Sequence, residues 1–95
     1  MMIEPDLDAL RSDRVVDARR LLCPMPILRV DAAMQGMQPG EILEVVATDP
    51  GLTQDLPAWC RVNGHRLLTM RRAGREWTGW VVKGEFPPAP IRRTS

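Results

Sequence analysis

The first apolar positions along the chain with a clear pattern are Val15, Val16 and Ala18, which predict a short strand over Val15–Arg19. After Leu21-Leu22-Cys23-Pro24-Met25-Pro26, the residues Ile27, Val30, Met34 and Met37 recur at helical spacing, with Arg29, Asp31 and Gln35 between them. This spacing predicts an amphipathic helix of about three turns. Gln38-Pro39-Gly40-Glu41 has proline and glycine in the order a type II turn needs. Ile42–Ala47 is an apolar run broken only by Glu44, which reads as a mostly buried strand, and Thr48-Asp49-Pro50-Gly51 ends it. Leu52, Leu56, Trp59 and Val62 mark a second helical face. Pro57 lies inside that segment. It fits if Asp55 caps the helix, because proline in the first turn misses no backbone donor. The other solution is an earlier cap at Thr53 or Asp49, with a kink at Pro57. Asn63-Gly64 is a helix stop. His65–Arg72 and Glu76–Lys83 then read as a hairpin around Ala73-Gly74.

The order β-α-β-α-β-β predicts an α+β fold: a two-layer α/β sandwich with a four-stranded mixed sheet and two helices on one face. Residues 14–85 form the expected domain. Residues 1–13 are assigned to a flexible N-terminal extension and 86–95 to a disordered tail rich in proline and arginine. The 95 residues suffice for one small domain, and 44% hydrophobic content marks the chain as globular.

Charge narrows the function classes. Thirteen basic and twelve acidic residues leave a net +1, so nothing global calls for nucleic acid or an anionic membrane. One phenylalanine and no tyrosine also argue against an RNA-binding sheet. No apolar run approaches the ~18 residues of a membrane span. Met1-Met2-Ile3-Glu4-Pro5-Asp6 lacks the apolar stretch of a secretory signal, so a cytoplasmic location is expected. The two cysteines, Cys23 and Cys60, are too few for a disulfide framework and wrongly spaced for zinc. Both are expected as free thiols, with no metal and no cofactor.

The chemistry concentrates at Cys23-Pro24-Met25-Pro26. With Cys23 as N-cap, Pro24 and Pro26 fall at the first and third helical positions, where proline costs little and presets the backbone. Cys23 then lies at the positive end of the helix. Helix N-termini and nearby cations lower a thiol pKa, and Arg19, Arg20 and Arg29 are close in sequence. A thiolate nucleophile is therefore expected. A thiol–disulfide oxidoreductase would place its second cysteine where Pro26 stands. Without it, sulfur bound to Cys23 persists until an external acceptor arrives, which is how a carrier behaves. The plainer reading makes Cys23 a small apolar residue before a helix. On the motif alone the two readings stand level.

The wider pattern favours the first. Leu21-Leu22-Cys23-Pro24-Met25-Pro26, Met37-Gln38-Pro39-Gly40-Glu41, Asp49-Pro50, Asp55-Leu56-Pro57-Ala58-Trp59-Cys60 and Gly64-His65 resemble, in order and spacing, the TusA family, also called SirA-like proteins. The likeness runs from about Asp17 to Gly84. It implies a sulfurtransferase working in a relay. A pyridoxal-phosphate cysteine desulfurase or another donor protein loads the motif cysteine, and a downstream protein takes the sulfur for tRNA thiolation, molybdenum-cofactor supply or sulfur oxidation. Cys23 takes the carrier role in that scheme, and Pro24 and Pro26 the helix-start role. One departure stands out. Family members usually have glycine three residues before the motif cysteine, and here that residue is Arg20.

The remaining residues have plainer assignments. Arg19, Arg20 and Cys60 are auxiliary candidates, although Cys60 more simply packs in or near the core. His65 suits packing, and Asp55 a helix cap. Trp77 and Trp80, three apart on a strand, point to opposite faces, one to the core and one to a partner-contacting patch. The competing function is a thiol-redox or regulatory module in which Cys23 and Cys60 form a reversible disulfide.

Overall fold

Six elements follow one another in the expected order: β1 (Arg14–Ala18), α1 (Met25–Gln35), β2 (Ile42–Ala47), α2 (Leu52–Asn63), β3 (Arg66–Ala73) and β4 (Glu76–Val82). They belong to a computed structural model that describes residues 12–84. The tail over 86–95 and most of the extension over 1–13 lie outside the described residues.

The four strands form one sheet in the order β1-β2-β4-β3. β1 and β2 are parallel, and β4 is antiparallel to both β2 and β3, so β3 runs parallel to β2. The chain thus makes two crossovers between parallel strands, each through a helix and each stepping the same way along the sheet. Right-handed crossovers of this kind place both helices on the same face. The sheet is mixed and the architecture is the expected two-layer α+β sandwich.

The register shows what each face carries. Leu43, Val45 and Ala47 of β2 lie opposite Val81, Gly79 and Trp77 of β4 and face the helices. All three β2 residues are fully buried, as are Ala18 of β1, Val30 of α1 and Leu56 of α2. Trp77 packs against this core from its edge, and Arg72 lies over its ring at 5.4 Å. Trp80 points to the opposite face, opposite Glu44 and Thr69. The two tryptophans do take opposite faces. Trp80 is nevertheless buried, at 8% exposure, and so does not form the open contact patch expected from sequence.

The stripe that α2 buries is Leu52, Leu56 and Cys60, four residues apart each time. Val62, assigned to that face from sequence, is 76% exposed, and Cys60 takes the core position instead. Gly64 ends α2 at φ 75°, the left-handed conformation of a helix stop. The Nζ of Lys83, the only lysine, donates to the carbonyls of Met34 and Met37 and ties the end of α1 to the sheet. His65 has the expected packing role. Its Nδ1 accepts the Gly84 N–H and its ring lies 4.9 Å from that of Trp59.

Candidate functional site

Because β1 and β2 are parallel neighbours with Ala18 opposite Ala47, both strands leave the sheet at the same end. The segments that follow, Arg19–Pro24 and Thr48–Gly51, therefore run side by side. Two bonds join them. The Arg20 N–H donates to Thr48 Oγ1 at 2.9 Å, and the Cys23 N–H donates to Asp49 Oδ2 at 2.8 Å. The other oxygen of Asp49 accepts the Gly51 N–H, and its carbonyl accepts the Leu52 N–H. One carboxylate thus joins the cysteine loop to the start of α2.

The helix starts differ from expectation in both cases. The Pro24 carbonyl accepts from the N–H groups of Ile27 and Leu28, so helical bonding begins there and Pro24 is the N-cap of α1. Cys23 stands one residue outside the helix, and Pro26 is its second residue rather than its third. α2 starts at Leu52 with Gly51 as N-cap, because the Asp49 turn has already presented the backbone to it. This is the earlier of the two starts considered. Pro57 is the sixth residue of α2 and removes one internal donor.

Asp55 is therefore not a cap. It lies in the first turn of α2 with its side chain turned to the cysteine loop, and the Cys23 Sγ–H donates to its Oδ2 at 2.9 Å. This reverses the electrostatic expectation. The Asp55 carboxylate, through its bond to the thiol, then desolvation and the charges of Asp55 and Asp49, hold the Cys23 thiol pKa above its ordinary value. The thiol is exposed. The helix dipole falls off within the first turn, and a carboxylate in hydrogen-bond contact outweighs it.

The neighbouring arginines do not compensate. The guanidinium of Arg19 pairs with Asp17 at 2.8 Å and with Glu76 at 3.3 Å. Those bonds hold the Asp17 carboxyl well below the usual range and direct Arg19 away from the sulfur. Arg20 lines a polar recess with Asp17, Arg19, Thr48 and Glu76. Neither Arg20 nor Arg29 contributes to the thiol's shift. The Arg20 backbone has φ 71°, a left-handed conformation that glycine adopts without steric cost, so the departure from the family's usual residue falls where the turn demands it.

Cys60 lies elsewhere. It is 3% exposed in the hydrophobic core, and burial pushes its thiol up to about 11. Five residues of α2 separate it from Asp55, about 140° around the helix, so the two side chains face different neighbours. Flanking Cys23 in sequence are three exposed apolar residues, Leu22 at 74%, Met25 at 41% and Leu28 at 55%. Among the described residues no cluster of histidine, cysteine and acids could hold a metal. No helix there is long and apolar enough to cross a membrane.

A model of the family described as Sulfurtransferase TusA matches residues 14–83. The chain belongs to the TusA family. Its relatives include YrkI of Bacillus subtilis, named as a sulfur carrier, at 47% identity over 79% of this chain and the whole of YrkI. The sulfur carrier protein TusA of Pseudomonas syringae pv. tomato is 33% identical over 86% of this chain and 96% of the relative. A third, YrkF of B. subtilis, is 39% identical, and the match spans only 40% of its length. The crystal structure of a SirA-like protein from Desulfitobacterium hafniense superposes with a TM-score of 0.66 at 20% identity, over 76% of this chain and 99% of that one. That likeness shows the fold, and the family shows a sulfur-transfer role that entails donor and acceptor proteins.

Sequence reasoning missed the contacts of Asp49 and Asp55 with Cys23. Both acids lie in stretches that carry the family likeness, Asp49-Pro50 and Asp55-Leu56-Pro57. The usable signal was the fold itself: parallel β1 and β2 bring the segment after β2 to the segment after β1.

Proposed function

We propose that the protein is a persulfide carrier: Cys23 accepts sulfane sulfur from a cysteine desulfurase or another donor protein and passes it to a downstream acceptor in the cytoplasm. The observation that carries this reading is the exposed Cys23 thiol, held on a loop by Asp49, while Cys60 lies buried in the core. A persulfide formed there is open to an approaching protein and has no neighbouring thiol to discharge it. Leu22, Met25 and Leu28, exposed on the loop and first helix that flank Cys23, offer that protein an apolar contact. tRNA thiolation, molybdenum-cofactor supply and sulfur oxidation all fit as destinations, since each draws on the same bound sulfur.

The test is to incubate the protein with a cysteine desulfurase and cysteine and to record an intact mass. The expected result is the gain of one sulfur, absent from Cys23→Ser and reversed by a reductant. No gain from any competent donor would refute the proposal.

A further inference from the structure

The carrier reading requires a nucleophile at Cys23, yet the structure surrounds that thiol with acids. The charged groups bearing on it are Asp55 from α2 and Asp49 from the loop after β2. Arg19 from the loop after β1 is engaged by Asp17 and Glu76. An acid pair that only suppressed the thiolate would hinder loading. The geometry, however, is not that of two charges merely nearby. Asp49 binds the Cys23 N–H and fixes the backbone, and Asp55 Oδ2 is 2.9 Å from Sγ, within reach of the thiol proton itself.

We infer that Asp55 is a catalytic residue of the transfer, the group that takes the Cys23 proton as its sulfur attacks the donor persulfide. The inference rests on the carrier reading and deepens it. In the loading step an electron pair on Cys23 Sγ forms a bond to the sulfane sulfur of R–S–SH. The donor's S–S bond breaks, and its electron pair leaves on the donor sulfur. The proton from Cys23 passes to Asp55 Oδ2 and from there to the departing R–S⁻. The sum is Cys23–SH plus R–S–SH giving Cys23–S–SH plus R–SH, with no net oxidation and no co-reactant. Unloading runs the same path backwards: an acceptor thiol passes its proton to Asp55 Oδ2 as its sulfur attacks the sulfane sulfur, and Asp55 delivers that proton to the leaving Cys23 sulfur. A thiol of raised pKa also suits this scheme, because its sulfur is intrinsically more nucleophilic once the proton is removed. Asp49 is then a positioning residue.

The experiment compares two rates at Cys23 in the full chain. One is alkylation by iodoacetamide across a pH series, which reports the free thiolate. The other is loading from glutathione persulfide, followed by intact mass, a donor that needs no protein docking. Asp55→Asn keeps the shape and removes the charge and the basic oxygen. Alkylation at pH 7 is expected to rise, with its pH profile shifted to lower pH, because the repelling carboxylate is gone. Loading is expected to fall by about tenfold or more: a positioned acid–base group contributes about a hundredfold at the low end, and the gain in thiolate offsets part of that loss. Asp55→Glu restores part of the loading. If Asp55→Asn does not fold, Asp55→Ala carries the same opposed expectations. Two rates that move together, in either direction, overturn the inference, because repulsion alone raises both and lost positioning lowers both. A wild-type chain that loads neither from glutathione persulfide nor from a cysteine desulfurase overturns the carrier reading itself, which separates the two failures.

Discussion

Arg20 provides the sharpest test of how the backbone near the site is held. It has φ 71°, the one positive φ at a residue other than glycine among those described. Left-handed backbone costs an L-residue with a Cβ about 1–2 kcal/mol. Glycine escapes that cost but loses about 0.5–1 kcal/mol more conformational freedom on folding. The difference leaves Arg20→Gly more stable than the wild type by up to about 1.5 kcal/mol, with a central value of about 0.75 kcal/mol. The bond from the residue's N–H to Thr48 Oγ1 involves only the backbone and survives the change. Urea denaturation followed by circular dichroism measures the effect as a higher midpoint at an unchanged slope. For a domain of this size the central value corresponds to a rise within roughly 2–8 °C in Tm. Arg20→Val serves as the opposite arm, since a β-branched residue is least tolerated at positive φ, and its midpoint should fall. A glycine variant less stable than wild type would refute the reasoning, as would a valine variant of equal stability. The first result would mean that the Arg20 side chain contributes more than its backbone costs, through the recess it shares with Asp17, Thr48 and Glu76; the second would mean that the left-handed turn does not discriminate against a β-branched residue.

Two further outcomes follow from the burial of Cys60 and the exposure around Cys23. The folded-state pKa of Cys60 is raised from 9.0 to about 11, so the folded protein keeps a proton that the unfolded chain releases. That contribution is fully present below pH 9 and is lost as pH rises through 9 to 11. Denaturation midpoints measured from pH 8 to pH 11 should decline, and Cys60→Ala should flatten the decline; an unchanged slope in the variant would refute it. The double variant Leu22→Ser, Leu28→Ser should slow sulfur transfer from a cysteine desulfurase by about tenfold, as loss of apolar contact of this size implies, and leave loading from glutathione persulfide unchanged. Equal slowing with both donors would show that the two leucines act on the sulfur itself rather than on docking.

The fold was legible because its signals are local. The 3.6-residue recurrence of Val30 and Met34, the Pro39-Gly40 turn, the Asn63-Gly64 stop and the Ala73-Gly74 hairpin each report on a few neighbouring residues. The choice of Cys23 as the candidate site rested on a local signal too, the two prolines within three residues of it. The errors arose where distant segments meet. Asp55 has the composition of a cap, and Pro57 favoured a helix start beside it. Yet a turn built by Asp49 starts α2 earlier, and that frees Asp55 to face a residue 32 positions away. The thiol's electrostatics failed with it. Arg19 is near Cys23 in sequence but paired to Asp17 and Glu76, whereas the acids that govern the sulfur come from another loop and another helix. Val62 was misplaced on the buried face because it, like Cys60, satisfies a helical spacing, and only the contact with the sheet decides between them.

The position of Asp55 can be traced through the core to a strand. Gly79 of β4 faces the helices, and a Cβ built there would lie 2.7 Å from Leu56 Cδ2. The glycine therefore lets α2 settle close to the sheet with Leu56 fully buried. Successive helical residues differ by about 100° in direction, so seating Leu56 against Gly79 turns its neighbour Asp55 out of the core toward the loop after β1. Asp49 sets the other half of the geometry by joining that loop to the first residues of α2. The distance between sulfur and carboxylate is thus set by a sheet glycine, a core leucine and a loop aspartate, none of which touches the sulfur. A cysteine–proline motif moved to the start of an unrelated helix would keep the thiol and lose this carboxylate. The surroundings of the Cys23 thiol accordingly belong to the junction of the two parallel strands and the helices that follow them, rather than to the motif alone.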